Sequence, residues 1–307
     1  MARALSHFNG KPILSLSKPN PYHPSPPPSS SSSVHKPTTV AMAQTKSYWA
    51  SIEADIEAHL KTAIPVRQPV AVFEPMRHLV FAAPKAKAPA LCVAACELVG
   101  GDRAQAVVAA SALRLVHSAA HAHEHLPLMD RPNHKPGIHH AYGPNIELLT
   151  GDGIVPFGFE LLARSVGSVQ NNSDRVLRVI IEITRAIGSQ GMIDGQYHES
   201  QQGARSNEEW IEHVCMKKEG ELHACGAACG AILGGGSEEE IEKLRKFGLY
   251  VGMIEGMLNW VVGHEEEGLM DVVERLRVMA IKELENLSGR NVEPISSLVE
   301  VASLCNL

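Results

Sequence analysis

Seven of the sixteen histidines fall between His117 and His140, beside few acids. The stretch Leu115-Val-His-Ser-Ala-Ala-His-Ala-His-Glu-His-Leu-Pro-Leu-Met-Asp130 reads as the end of a long helix. His117, His121 and His125 are four apart and share one face. Glu124 and Asp130 are the only acids in it. A helix end holding magnesium for a diphosphate needs several carboxylates converging on one point, because Mg²⁺ is hard and prefers oxygen ligands. This stretch has the frame of such a site with few of its carboxylates. A zinc site from His121, Glu124 and His125 is the sharper reading. The plainer reading, which we prefer, is a vacated mouth whose polar side chains face water.

The cysteines form two pairs, Cys92-Val-Ala-Ala-Cys96 and Cys225-Gly-Ala-Ala-Cys229. Spacing of four puts both sulfurs of a pair on one helix face, and the intervening residues are small. Such a face lets another helix approach closely, with Cys acting as a compact apolar residue. That helix can belong to the same chain or to a partner. Zinc is a poor fit, since no loop presents four ligands. A disulfide across one helical turn is geometrically poor. Six cysteines in 307 residues do not suggest a disulfide scaffold.

These residues need helices to position them, and the composition supplies helices. Aromatics make up 5% of the chain, while Ala, Leu, Val and Ile are plentiful. That suits helix-on-helix packing better than a sheet sandwich. The length is ample for one sizeable core. The net charge of −6 argues against nucleic acid. No uncharged apolar run is long enough for a spanning helix, so no membrane role is expected. Helical periodicity starts near Tyr48, with Trp49, Ile52, Ile56 and Leu60 on one face. Pro84-Lys-Ala-Lys-Ala-Pro89 reads as a connector. Asp102 is placed to cap a long Ala-rich helix, and Ser237 with Glu240 forms a capping box. Asp174 is placed to cap a strongly periodic helix. No segment alternates like a strand and no long period repeats. The expectation is one all-α domain of about ten helices over residues 47–307. Residues 1–46 differ: the first acid of the chain is Glu53, and Ser and Pro dominate around Pro26-Pro-Pro-Ser-Ser-Ser-Ser-Ser33. That is the composition of a disordered transit peptide, a plastid one because Arg is sparse.

Landmarks across the body resemble the trans-isoprenyl diphosphate synthase family. They are Leu91-Cys-Val-Ala-Ala-Cys-Glu-Leu-Val-Gly-Gly101, Leu126-Pro-Leu-Met-Asp130, Leu149-Thr-Gly-Asp152, Gly195-Gln196, Gly230-Ala-Ile-Leu-Gly-Gly-Gly236 and Lys243-Leu-Arg-Lys-Phe-Gly248. The resemblance implies a helical bundle around a central cavity, dimerisation, and condensation of isopentenyl diphosphate with an allylic diphosphate using Mg²⁺. The departures are as informative. The first Asp-rich motif has become Glu124 to Asp130. The second should sit at Asn259-Trp-Val-Val-Gly263, where no carboxylate remains. In the basic diphosphate loop Lys85 survives, but both arginine positions are alanine, Ala86 and Ala88. Lys218 keeps the place of a diphosphate-binding lysine.

An allylic diphosphate ionises only if metal ions neutralise the departing charge. The degenerate positions Glu124, Asp130, Asn259, Gly263, Ala86 and Ala88 cannot hold that machinery. The sequence therefore predicts no catalytic residues and no cofactor bound by this chain. Lys85 and Lys218 are residual diphosphate contacts at most. The paired Cys-x-x-x-Cys motifs and the phrase Gly151-Asp-Gly-Ile-Val-Pro-Phe-Gly-Phe-Glu-Leu-Leu162 resemble the small-subunit branch of plant heteromeric geranyl diphosphate synthases. That resemblance implies a plastid protein paired with a catalytic large subunit, which holds the Mg²⁺ and makes more C10 product when paired. It also implies partner contact at Cys92, Cys96, Cys225 and Cys229. The alternatives are a small subunit that raises C20 output, a short-chain synthase rebuilt on Glu124, Asp130 and Asp152, and an isoprenoid-carrying helical protein.

Overall fold

The computed structural model describes residues 37–126, 141–166, 173–201, 207–264, 268–285, 287 and 289–304. Among them there is no strand, and twelve α-helices follow in order. They are α1 (Pro37–Ala63), α2 (Val70–Ala82), α3 (Lys87–Leu98), α4 (Arg103–Glu124), α5 (Pro144–Ser165), α6 (Ser173–Ile187), α7 (Met192–Ser200), α8 (Glu208–Cys215), α9 (Glu221–Gly234), α10 (Glu238–His264), α11 (Leu269–Glu285) and α12 (Glu293–Leu304). A five-residue π turn, Met216–Gly220, joins α8 to α9 without a break. No single described helix is long and apolar enough to cross a membrane; α2 and α3 qualify only as a pair bent by 77°.

Local signals set most boundaries. Asp102 caps α4 by accepting from the Ala104 amide at 2.9 Å. Ser237 and Glu240 exchange amide hydrogen bonds at 2.8 and 3.2 Å at the start of α10. Three boundaries differ from expectation. α1 begins at Pro37 rather than near Tyr48: proline is tolerated at a helix start, and Ala-Met-Ala-Gln favours continuation. The connector before Pro89 shrinks because Lys87-Ala-Pro89 is already the first turn of α3, where a missing amide is harmless. Ser173 precedes Asp174 in α6, so Asp174 is a first-turn acid, favourable to the helix dipole, rather than the cap.

The centre of the bundle is α9, packed mainly on α3 and α10. Both α3 and α9 are apolar on nearly every side, as expected of helices without a solvent face. Their contact depends on glycine. Gly226, Gly230 and Gly234 recur every fourth residue on α9, and a Cβ on each would run into the α3 backbone at Ala88, Cys92 and Cys96. On the other flank Gly248 and Gly252 of α10 meet the backbone of His223 on α9 and Glu219 in the π turn in the same way, while Gly256 lies against the Cys215 side chain of α8. Close glycine approaches thus tie α9 to α3 on one side and α10 to α9 and the π turn on the other.

The four cysteines lie inside this arrangement. Cys92, Cys96, Cys225 and Cys229 are each 2% exposed or less. The Sγ atoms of Cys225 and Cys229 are 3.7 Å apart, both reduced. The expectation of direct partner contact therefore needs correcting. The helix that approaches each small-residue face belongs to this chain, and none of these four sulfurs reaches the surface.

Candidate functional site

The mouth suggested by the histidine stretch is where α4, the π turn, α7 and α10 converge. His117, His121 and His125 stack in a column on α4, with ring centroids 6.4 and 4.2 Å apart. His125 Nδ1 is 2.8 Å from the His121 carbonyl oxygen. His117 lies deepest. Burial, with help from Arg114, lowers its pKa from 6.5 to about 4, so the ring is neutral, and its Nδ1 has no hydrogen-bond partner.

Glu124, the surviving acid of the first motif, does not point into an empty site. Its carboxylate accepts from Lys218 Nζ at 2.9 Å, and Glu199 of α7 accepts from the same Nζ at 2.6 Å. Burial alone would lower the pKa of Lys218, but the two carboxylates reverse that and hold it above the usual lysine range. Further in, His223 Nε2 and Glu255 Oε2 stand 3.1 Å apart, an ion contact without linear hydrogen-bond geometry. Burial opposes charge on both members. Each nevertheless favours its charged form, His223 moving up and Glu255 down, because each is the other's partner. Burial pushes the neighbouring Glu219 carboxyl up. Lys87 Nζ approaches Glu255 from α3 at 3.7 Å.

The basic loop has the same character. Lys85 Nζ stands 3.7 Å from carboxylate oxygens of both Glu53 and Glu57 on α1. It borders a cleft of about 670 Å³ that Arg77, Arg114 and Tyr142 also line. Arg114 turns a guanidinium nitrogen towards the Ala83 carbonyl at 3.4 Å. Ala86 and Ala88 are buried in the packing of α3. Lys218 is thus held by two carboxylates of this same chain, and the more exposed Lys85 has two within ion-pair distance.

At the second acidic position Asn259 is exposed, and Trp260 packs edge-on against Trp210 with centroids 5.6 Å apart. Gly263 falls in the last turn of α10. Asp130 lies outside the described residues. Asp152 is exposed, 3.5 Å from His123 Nε2. The residues present do not fit Mg²⁺, which needs several convergent oxygens: Glu124 is committed to a lysine, and the α10 position offers none. Nor does the zinc reading of the histidine column hold, since Glu124 turns to Lys218.

Sequence reading found Glu124, Lys85 and Lys218 but missed Glu199, His223 and Glu255. Four-residue spacing from Glu219 to His223 was a usable signal, since it puts both on one face of a single turn. Nothing in the sequence indicated that Glu255, on another helix, would meet them.

The chain matches the family model described as polyprenyl synthetase over residues 69–254. The chain belongs to the polyprenyl synthetase family. It has the all-helical fold of isoprenyl diphosphate synthases. It is 56% identical over 284 residues to the heterodimeric geranylgeranyl pyrophosphate synthase small subunit 2, chloroplastic, of Cannabis sativa, covering 88% of this chain and 99% of the relative. It superimposes on the geranyl diphosphate synthase small subunit from Antirrhinum majus with a TM-score of 0.78 at 57% identity, covering 83% of this chain and 98% of that one. A mint heterotetrameric geranyl pyrophosphate synthase deletion mutant, solved with ligands, gives a TM-score of 0.74 at 55% identity, over 82% of this chain and 98% of that one.

Proposed function

We propose that the chain is the non-catalytic, regulatory small subunit of a heteromeric prenyl diphosphate synthase. It docks on a catalytic large subunit similar to geranylgeranyl diphosphate synthase and shifts the product towards C10 geranyl diphosphate, the precursor of monoterpenes. One observation carries this reading: Lys218 at the mouth and Lys85 in the loop before α3 both face internal carboxylates, and the α10 position Asn259–Gly263 offers none. Such a site cannot stabilise a departing diphosphate. The Mg²⁺ belongs to the large subunit. Residues 1–46 serve as a plastid transit peptide, in keeping with relatives named chloroplastic.

With the cysteines buried, the partner surface needs other residues. Ile146 and Leu149 on α5, Leu177 and Ile181 on α6, and Ile193 and Tyr197 on α7 are large apolar side chains left exposed. We assign the large-subunit contact to these helices. Charged substitutions at Leu149 and Ile181 should abolish co-purification with a large subunit while leaving this chain folded. Undiminished pairing would defeat the assignment.

A second reading, enhancement of C20 geranylgeranyl diphosphate, is favoured by the name of the Cannabis relative. Co-expression with a large subunit followed by product chain-length analysis separates the two. Predominantly C10 supports the first and raised C20 the second. Metal-dependent synthesis by this chain alone would overturn both.

A further inference from the structure

We propose that Asp194, His198 and His213 form a binding site for a divalent transition-metal ion of the zinc class, tying α7 to α8. The site borders the mouth through α7 but shares no residue with the contacts described there, and it does not depend on the function proposed above. Asp194 and His198 are four apart on α7 and share a face. The short helix α8 brings His213 up to them. Asp194 Oδ1 lies 3.3 Å from His198 Nδ1, and Asp194 Oδ2 lies 3.4 Å from His213 Nε2. The two imidazole rings meet edge to face with centroids 4.8 Å apart. One ligand atom from each of the three residues falls within 4.8 Å of the others, the only such group among the described residues.

Those spacings suit a small ion. With bonds of about 2.0–2.1 Å, two ligands of a tetrahedral zinc stand roughly 3.4 Å apart. The two short distances end on different oxygens of Asp194, and a triangle with one atom from each residue has edges within 4.8 Å, which side-chain rotation would shorten around an ion. Two imidazoles with one carboxylate select zinc, cobalt or nickel over Mg²⁺, which prefers oxygen. His213 Nε2 is buried and makes no hydrogen bond, so a metal would satisfy an atom that the protein leaves unserved. His198 Nδ1 now faces the Asp194 carbonyl oxygen at 2.9 Å. Coordination through that nitrogen requires the other tautomer, with its proton on Nε2. Three protein ligands leave one position for water on the partly open side.

Placement gives the site a consequence. The residue after His198 is Glu199, which grips Lys218. An ion joining α7 to α8 would hold Glu199 in place and stiffen the helices beside the π turn.

The test uses the untagged full-length chain, stripped with chelator and dialysed. Titration with Zn²⁺ by calorimetry should show one ion per chain, with a rise in melting temperature. Co²⁺ should give visible absorption bands of a nitrogen- and oxygen-ligated ion. The double variant His198→Gln/His213→Gln should lose affinity by more than about tenfold and lose the Co²⁺ bands. The double variant His121→Gln/His125→Gln should keep both. Asp194→Asn, nearly isosteric, guards against misfolding: it should melt normally without metal and bind more weakly. Binding that survives the loss of His198 and His213, or no stoichiometric binding by the parent chain, overturns the proposal.

Discussion

The α3–α9–α10 seam and the mouth beside Lys218 are neighbours in one bundle, yet different physics holds them. Between α3 and α9 nothing polar is decided: glycines every fourth residue let backbones touch, and side-chain volume is the main variable. At the mouth volume hardly matters and charge decides nearly everything. Lys218 needs Glu124 and Glu199, and His223 needs Glu255. The close contact between α3 and α9 involves neither Glu124 nor Asn259, so it does not depend on what those positions hold. The mouth could not simply be emptied. A buried lysine without a partner would be an uncompensated charge, and here Glu124 and Glu199 supply the compensation.

The strongest way to break that contrast is to add one methyl group to the seam. Gly230→Ala places a Cβ against the Cys92 carbonyl oxygen and the Ala95 Cβ. Rigid backbone cannot retreat, so the loss should reach about 3 kcal/mol or more, read as the urea midpoint. Gly153→Ala on α5 is the control, because nothing lies within 4 Å of its Cβ. It should be neutral or stabilise by up to about 1 kcal/mol through helix propensity. Equal effects at the two positions would mean that the seam is not sterically special.

The next effect belongs to the mouth and is read by pH. The pKa of His117 is lowered from 6.5 to about 4 in the folded chain. As pH falls through that window the unfolded chain takes up a proton that the folded one refuses, so stability drops, by about 3 kcal/mol in all. His117→Leu should flatten this acid limb. The His223–Glu255 pair titrates in the opposite sense for histidine. The folded pKa of His223 is raised, so its contribution is full below the unfolded value of 6.5 and fades as pH rises through the folded one. An acid limb unchanged in His117→Leu would show that the column carries no such linkage.

Lys218→Met should follow, at about 2 kcal/mol. It leaves Glu124 and Glu199 facing each other without their cation, at a site partly open to water. Adding Glu124→Gln and Glu199→Gln should recover most of that loss. If the single and triple variants are equally unstable, the lysine is held by packing of its stem rather than by charge.

Much of the bundle was legible because helix-forming signals are local. The caps at Asp102 and Ser237, the periodic face of α6 and the glycine run after α9 act within a few residues and read the same in sequence and structure. The loss of the acidic motifs was equally local. What stayed hidden needed two helices at once. Glu199 and Glu255 carry no mark that sets them apart from surface acids until α7 and α10 are placed beside the π turn. The cysteine pairs are a different case. Spacing of four correctly announced a close helix approach, and the partner contact was what the family resemblance implied; the approaching helix here lies further along the same chain.

The smallest expected effect is also the one that tests this correction. Burial holds the thiols of Cys92 and Cys229 well above their ordinary range and pushes that of Cys96 up to about 12. The thiolate is the reactive form, so native protein should react with iodoacetamide at these positions only as fast as it opens, and pairing with a large subunit should not slow the reaction much further. Single Cys→Ser changes at Cys92 or Cys229 place a hydroxyl where no water reaches, for about 1 kcal/mol each. Because the sulfurs face inward, affinity for the partner should stay within about twofold after correction for the unfolded fraction. A Cys92→Ser chain that is as stable as the parent yet fails to pair would put the cysteines back on the surface. A chain that pairs normally but melts earlier locates them where the structure does, between two helices of one molecule.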